Sequence, residues 1–304
     1  MKARVRAPMF LLFYLLVVLS AHPAWSADPT ETGAASEDES NDKSLTEVDK
    51  ELTNPVGSSW SLTFKQNNYL LDNPECWRSN LQFQPVLPVS LTSDWNLITR
   101  PTIPFFLSQP HQVPAGATPQ VNVETTAGFG DIMLVEMLSP APLIAGHWLL
   151  GAGPTFIFPT ASTDVTGHGK WQAGPAGVVG YVSDKWMVAA FVQNWTSFAG
   201  DSRRPDTNHM NLQPIATYFL GGGWSIGYSG NILANWTAAP GSVWTVPLGL
   251  GVSKVVKFGK LPVKVGFAGQ YMPIHPDAFG QQWNIQLSLT PVIPKLIKGA
   301  LFCE

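Results

Sequence analysis

Apolar and polar residues alternate with a period of two in segment after segment, and this constrains the chain more than any other feature. In residues 59–67, Trp60, Leu62 and Phe64 alternate with Ser59, Ser61, Thr63, Lys65 and Asn67, and in residues 282–292, Trp283, Ile285, Leu287 and Leu289 alternate with Asn284, Gln286, Ser288 and Thr290. Leu81 and Phe83 are set against Asn80, Gln82 and Gln84, and Trp224, Ile226 and Tyr228 against Ser225, Gly227 and Ser229. Successive side chains of a strand point to opposite faces, so each segment has one aromatic and aliphatic face and one amide and hydroxyl face.

About twelve such segments can be read, at 59–67, 79–88, 93–103, 128–138, 147–158, 171–182, 186–196, 209–220, 223–233, 243–255, 261–272 and 282–292. The connectors alternate between short (89–92, 139–146, 183–185, 221–222, 256–260) and long (68–78, 104–127, 159–170, 197–208, 234–242, 273–281). That is the pattern of an outer-membrane barrel with short periplasmic turns and long outer loops. A segment of about 11 residues, rising about 3.3 Å each and tilted about 40°, spans about 27 Å, close to the apolar band of such barrels. Trp60, Trp95, Trp148, Trp186, Trp195, Trp224, Trp236, Trp244 and Trp283 fall near segment ends, where amphipathic rings suit a membrane interface. A soluble β-sandwich would show similar alternation, but at 13% charged residues it would lack a solvated surface. The expected fold is all-β, a transmembrane antiparallel β-barrel of about twelve strands in the bacterial outer membrane. Pro85, Pro154, Pro175, Pro214, Pro247 and Pro291 lie inside these segments, where each lacks a ladder donor, so they are expected at bulges, rims or non-bonded positions.

Residues 1–27 read as a secretory signal peptide, with Lys2, Arg4 and Arg6 giving +3, an apolar run from Met9 to Leu19, and small residues at Ala24-Trp25-Ser26-Ala27. Residues 28–53 carry nine carboxylates against Lys43 and Lys50, a charge of −7, and read as a disordered acidic periplasmic leader with a helical turn or two near 45–52. Of the total of −3, this leaves +1 for residues 54–304, a near-neutral body that argues against a nucleic-acid partner. The barrel is expected over 54–292, with 293–304 as a C-terminal extension. Cys76 and Cys303 are far apart in the chain and read as unpaired.

Several runs, in order over about residues 54–292, resemble one family: Asn54-Pro55-Val56, Gln82-Phe83-Gln84-Pro85, Gly128-Phe129-Gly130-Asp131, Gly167-His168-Gly169-Lys170-Trp171, Gly174-Pro175, Asn211-Leu212-Gln213-Pro214, Gly222-Gly223-Trp224 and Val246-Pro247-Leu248-Gly249. The chain looks like the bacterial outer-membrane proteins grouped as transporters of the phenol meta-cleavage degradation pathway. The resemblance implies an outer-membrane barrel passing small, often aromatic or hydrophobic, compounds. It brings no catalytic residue and no cofactor.

If the polar faces point inward, the lumen is lined by Lys65, Asn80, Gln82, Gln84, Arg100, Glu136, Gln193, Asn211, Gln213, Asn231, Lys264, Gln270, Asn284 and Gln286. A lining so rich in amides suits small neutral or weakly polar permeants. The same amides would equally serve to bond one another across a filled interior. The long connector 104–127 offers Phe105 and Phe106 as a hydrophobic gate. Asp201, Arg203, Arg204, Asp206 and His209 form a charged outer-loop cluster; only Asp206 and His209 have metal-like spacing, so local ion pairs are the simpler reading and no metal site is expected. None of the six His has the Ser two residues on that a barrel lipid hydrolase requires, and no Gly-x-Ser-x-Gly elbow occurs. The expected function is therefore a channel or transporter-like barrel, with outer-membrane lipid and a small-molecule permeant as partners and the oligomeric state open. The alternative is a structural or adhesion-type barrel with a closed lumen.

Overall fold

The computed structural model describes residues 45–114, 121–297 and 299–302. The signal segment, most of the acidic leader and Cys303 lie outside these residues. The described strands are β1 (Ser61–Asp72), β2 (Cys76–Ser90), β3 (Trp95–Pro114), β4 (Val121–Phe129), β5 (Ile132–Pro140), β6 (Trp148–Phe158), β7 (Lys170–Val182), β8 (Trp186–Gly200), β9 (Asn208–Gly221), β10 (Trp224–Tyr228), β11 (Ile232–Asn235), β12 (Trp244–Phe258), β13 (Leu261–Ile274) and β14 (Gly280–Pro291). Two pairs of segments are collinear. β4 and β5 follow one another along β3, from Pro114↔Val121 to Trp95↔Pro140, interrupted at Gly130-Asp131. β10 and β11 both lie between β9 and β12, interrupted at 229–231. Twelve antiparallel strands result, and β14 closes the barrel on β1 from Phe64↔Leu289 to Asp72↔Gly280. Closure leaves no edge strand within the wall.

The outer connectors depart from the sequence reading. The 24-residue loop expected at 104–127 is a hairpin that carries β3 and β4 outward, and the connector expected at 68–78 is a tight turn at 73–75. Hydroxyl and amide residues such as Gln109, Gln112 and Thr125 continue the ladder there, because antiparallel pairing beyond the bilayer needs no apolar face.

The prolines account for several gaps in the ladders of the wall. The β5–β6 ladder lapses between Val135↔Thr155 and Leu138↔Ala152, where Pro154 lies, and the β7–β8 ladder lapses at Pro175 between Ala173↔Thr196 and Ala176↔Gln193. The β2–β3 ladder lapses at Pro85 and Pro101, and Pro247 sits at a register shift between β12 and β13. Pro214 faces the β10–β11 interruption. Each falls where no N–H is needed, as the missing donor requires.

Trp95, Trp148, Trp186 and Trp224 are exposed on the wall at the end with the short turns, here the inner end, and Trp171, Trp236, Trp244 and Trp283 at the outer end. Two expected belt residues are instead buried: Trp60 donates to the Pro88 carbonyl at 2.7 Å, and Trp195 donates to Thr155 Oγ1 at 2.9 Å.

Glu136 corrects the lumen list. Val135 and Met137 are buried towards the interior, so strand alternation turns Glu136 to the lipid side, where Thr99 donates to Oε2 at 2.8 Å. The β5–β6 register sets it opposite Pro154, six positions from Trp148, or about 15 Å up an apolar band about 25 Å tall. A carboxylate at that depth destabilises the wall. Glu136→Leu is expected to stabilise the folded barrel by about 1–2 kcal/mol, read as a rise in urea midpoint in lipid vesicles; an unchanged midpoint would place Glu136 in water.

Candidate functional site

The interior is divided by a segment of the chain itself. Residues 45–53 form a helix within the inner end of the barrel, and residues 54–60 lead from it to β1. The helical turns expected near 45–52 are thus present, and they lie inside the barrel rather than in the periplasm. Two inner-turn contacts place the helix: Lys50 Nζ lies 4.0 Å from Asp184, between β7 and β8, and Gly223, between β9 and β10, backs onto Leu45. The helix stops as Asn54-Pro55 prevents its continuation: Asn54 Oδ1 accepts from the Val56 N–H at 3.0 Å, making an Asx turn. The Glu51 carboxylate then accepts from the N–H groups of Ser58 and Ser59, folding the segment back towards the wall.

Three interactions hold this plug. Asp49 is fully buried, and its Oδ1 lies 2.6 Å from Lys264 Nζ, which also donates to Thr53 Oγ1 at 2.6 Å. Arg100 donates to the Pro55 carbonyl at 3.2 Å. Val56 is buried among Ile98, Val135, Met137, Leu149 and Phe191, an apolar core filling the inner lumen on the β3–β9 side. An amide lining was expected there; the packed plug makes it a core.

Two cavities flank the plug. The inner one, of about 210 Å³, lies between the plug and the opposite wall, and Lys264, Gln213, Ser253 and Gly266 are among its lining. The outer one, of about 760 Å³, lies above the plug. It receives Lys65, Asn80, Gln82, Gln84, Arg100, Gln193, Asn211, Gln213, Asn231, Gln270 and Gln286 of the expected lumen residues. Asn284 is buried between them in an amide network: it donates to Asn67 and Gln270 at 3.3 and 3.2 Å, while Gln286 donates to Asn67 at 2.8 Å and Asn67 to Asn80 at 3.2 Å. These bonds stiffen one wall, across β13, β14, β1 and β2, and leave the chamber open on the other.

The two gate candidates separate. Phe106 lines the outer chamber, whereas Phe105, the residue before it, packs edge-on against Phe129 on the outer face of the wall at 4.9 Å. Phe105 is thus excluded as a gate by strand alternation. Phe106→Ala is expected to widen the chamber and change uptake of an apolar solute about threefold, by loss of a buried aromatic contact; Phe105→Ala should leave it unchanged. Equal effects would remove Phe106 from the path.

The outer loops are tied together by hydrogen bonds and ion pairs, Asp131, His168 and Lys170 among their partners. Asp131 accepts from the N–H groups of Ala161 and His168 at 3.1 and 2.6 Å, closing the 159–169 connector over the break between β4 and β5. Lys170 pairs with Asp206 at 3.0 Å, Arg204 with Asp164 at 3.5 Å and Arg203 with Asp201 at 2.9 Å. The Arg203 hydrogen bonds hold the Asp201 carboxyl down at about 2, and Lys170 holds Asp206 below the usual range. Asp206 and His209 do not converge: the His209 ring stacks between His168 and Trp195, at 5.6 and 5.3 Å.

Sequence reasoning missed Arg78, Asn67 and Tyr69, all on the outer chamber. Their parity is readable, since Arg78 precedes Asn80, Gln82 and Gln84 at intervals of two and Tyr69 follows Lys65 and Asn67, but the expected connector at 68–78 hides Tyr69 and Arg78, which the structure places on β1 and β2. Asp49 and Glu51 of the plug carried no such signal.

No protein-family model and no curated protein matches the chain. Among solved structures, the COG4313 outer membrane channel from Pseudomonas putida F1 aligns with a TM-score of 0.54 at 15% identity, covering 79% of this chain and 97% of that one. A Pseudomonas aeruginosa FadL homologue aligns at a TM-score of 0.33 and 11% identity over 77% of this chain and 88% of that one, a similarity too low to carry an argument. At 15% identity the first likeness speaks to the fold: the chain is a closed twelve-stranded antiparallel barrel with the architecture of an outer membrane channel.

Proposed function

We propose that the protein lets small, apolar or aromatic solutes cross the bacterial outer membrane, and that its own residues 45–60 close it at rest. The observation that carries this reading is the chamber of about 760 Å³ directly above a plug that the Asp49–Lys264 ion pair, the Arg100 contact to the Pro55 carbonyl and the packing of Val56 hold in place. Rings on the chamber wall, Phe106, Phe191 and Trp195 among them, suit a solute with an apolar body. The resemblance to phenol meta-cleavage transporters supports the same class of solute, and the COG4313 architecture supports an outer-membrane location.

A structural barrel is the second reading, favoured by the apolar core that fills the inner lumen. Uptake of a small aromatic solute into proteoliposomes decides between them. The passage reading expects slow uptake by the intact chain and fast uptake by a chain lacking residues 45–57. A folded barrel that stays impermeable after that deletion would establish the structural reading.

A further inference from the structure

The outer chamber carries an electrostatic imbalance that the amide-rich sequence concealed. Lys65 on β1, Arg78 on β2 and Arg100 on β3 all line it, and Lys65 and Arg100 also line the inner cavity, so this pair stands at the boundary between the two. Among the described residues, the ion pairs engage Lys50, His168, Lys170, Arg203, Arg204 and Lys264, and none of these three. The one carboxylate on the chamber wall is Asp206, already held by Lys170. The plug offers no substitute, since Asp49 is paired with Lys264 and Glu51 accepts from backbone N–H groups.

Donor capacity is left over as well. Lys65 enters no side-chain hydrogen bond or ion pair among the described residues, and Arg78 Nε is buried without a partner. Arg100 spends one N–H on the Pro55 carbonyl. Both guanidinium groups are held by rings: Arg78 lies over Tyr69 at 4.5 Å, and Arg100 over Phe191 at 5.3 Å. A guanidinium stacked on a ring can still present its remaining in-plane donors, and its fork matches a carboxylate. Buried cations without counter-charge favour an anion strongly in a partly desolvated lumen.

We propose that the outer chamber is a receptor for an organic carboxylate, a monoanion whose carboxylate sits between Lys65 and Arg100 and whose apolar body lies along Phe106, Phe191 and Trp195. The proposal rests on the passage reading and narrows its solute class. An inorganic anion would satisfy the cations but leave the aromatic wall wetted. A neutral aromatic would cover the wall but leave the cations unpaired. The volume is within the range of small-molecule sites, about 300–1,000 Å³, and Asn80 and Gln82 on the same wall offer amide groups beside the head.

The test is calorimetric titration of the full chain in detergent with 4-phenylbutyrate, its neutral isostere 4-phenylbutanamide, and inorganic phosphate. The carboxylate is expected to bind about tenfold more tightly than the amide, with phosphate weaker than both. Lys65→Met and Arg100→Met should each abolish the preference, while Lys254→Met, over Trp224 at 4.7 Å and clear of both cavities, should keep it. Unboiled migration on a gel confirms that each variant is folded; should neither lumen variant fold, the comparison of carboxylate with amide on the unaltered chain decides. Equal binding of carboxylate and amide, or a preference that survives the double substitution, would overturn the proposal, as would phosphate binding as tightly as the carboxylate. Proteoliposome uptake separates this failure from that of the passage reading: equal entry of both isosteres sinks the carboxylate site alone, and entry of neither after deletion of residues 45–57 sinks the passage.

Discussion

Lys264→Met is expected to unseat the plug and turn a nearly silent barrel into a conducting one. Asp49 is fully buried, its Oδ1 faces Lys264 at 2.6 Å, and its Oδ2 has no hydrogen-bond partner among the described residues. Removing the lysine leaves a buried carboxylate uncompensated, at a cost of about 3–5 kcal/mol. That cost weakens docking by a factor of roughly 10² to 5 × 10³, and the helix escapes it by leaving the lumen for water. Single-channel recording should show discrete openings in Lys264→Met resembling those of the chain without residues 45–57, and a protease added to the inner side should cut near 45–60. Replacing both partners, Asp49→Leu with Lys264→Met, should restore closure, because two apolar side chains of similar size fill the site without a charge to solvate. A folded Lys264→Met barrel that remains silent and uncut would mean that the packing of Val56, and not the ion pair, holds the plug.

Gly174→Ala is expected to cripple assembly of the wall. A Cβ at 174 would run into the Asn194 carbonyl, at the level where Pro175 interrupts the β7–β8 ladder and the two strands approach without a bond between them. The obstacle is backbone, which cannot rotate aside, so the cost should reach the upper end of overpacking, about 3 kcal/mol. Next to it, Trp195 bonds Thr155, which in turn bonds Gln193 at 3.4 Å, so a shift of β8 would break a buried network as well. The fraction of fast-migrating unboiled protein in the membrane should fall sharply. Gly177→Ala is the control, since its Cβ would meet only the Gly151 carbonyl at 3.8 Å. Indistinguishable Gly174→Ala and Gly177→Ala barrels would show that the wall gives way there.

Much of the wall was legible, because alternation is a property of one strand and needs no knowledge of its neighbours. The segments at 186–196 and 209–220 lie within β8 and β9, that at 243–255 matches β12 but for its first residue, and the inner turn at 183–185 is where spacing put it. The prolines were legible as a problem, and the register shows the solution: ladder gaps set beside them. Strand length was not legible where polar residues continued a ladder beyond the bilayer, since sequence separates a polar strand from a loop only by pairing that it does not encode locally. Trp60 and Trp195 were misplaced for a related reason, because an indole at a strand end serves a belt or a buried hydrogen bond according to the side it faces.

The face rule itself failed at Glu136. Polar residues were taken to mark the lumen, but on β5 the interior is the plug's apolar bed, so Val135 and Met137 claim the inner face and the glutamate is left outside. For the candidate site, sequence supplied most of the chamber's amides and two of its three cations, yet it missed their imbalance. Charge balance in a lumen depends on which carboxylates come within reach, and those of the leader are spent on Lys264 and on backbone amides before they meet Lys65 or Arg100.

The sequence by itself determined strand identity, the two faces of most strands and the antiparallel order of the hairpins, all set by contacts between near neighbours in the chain. Only the tertiary structure decided that residues 45–60 enter the barrel, that Asp49 meets Lys264 more than two hundred residues away, and that three cations share one chamber. Those outcomes depend on closure of β14 onto β1, which brings distant residues together around a lumen that no local pattern describes.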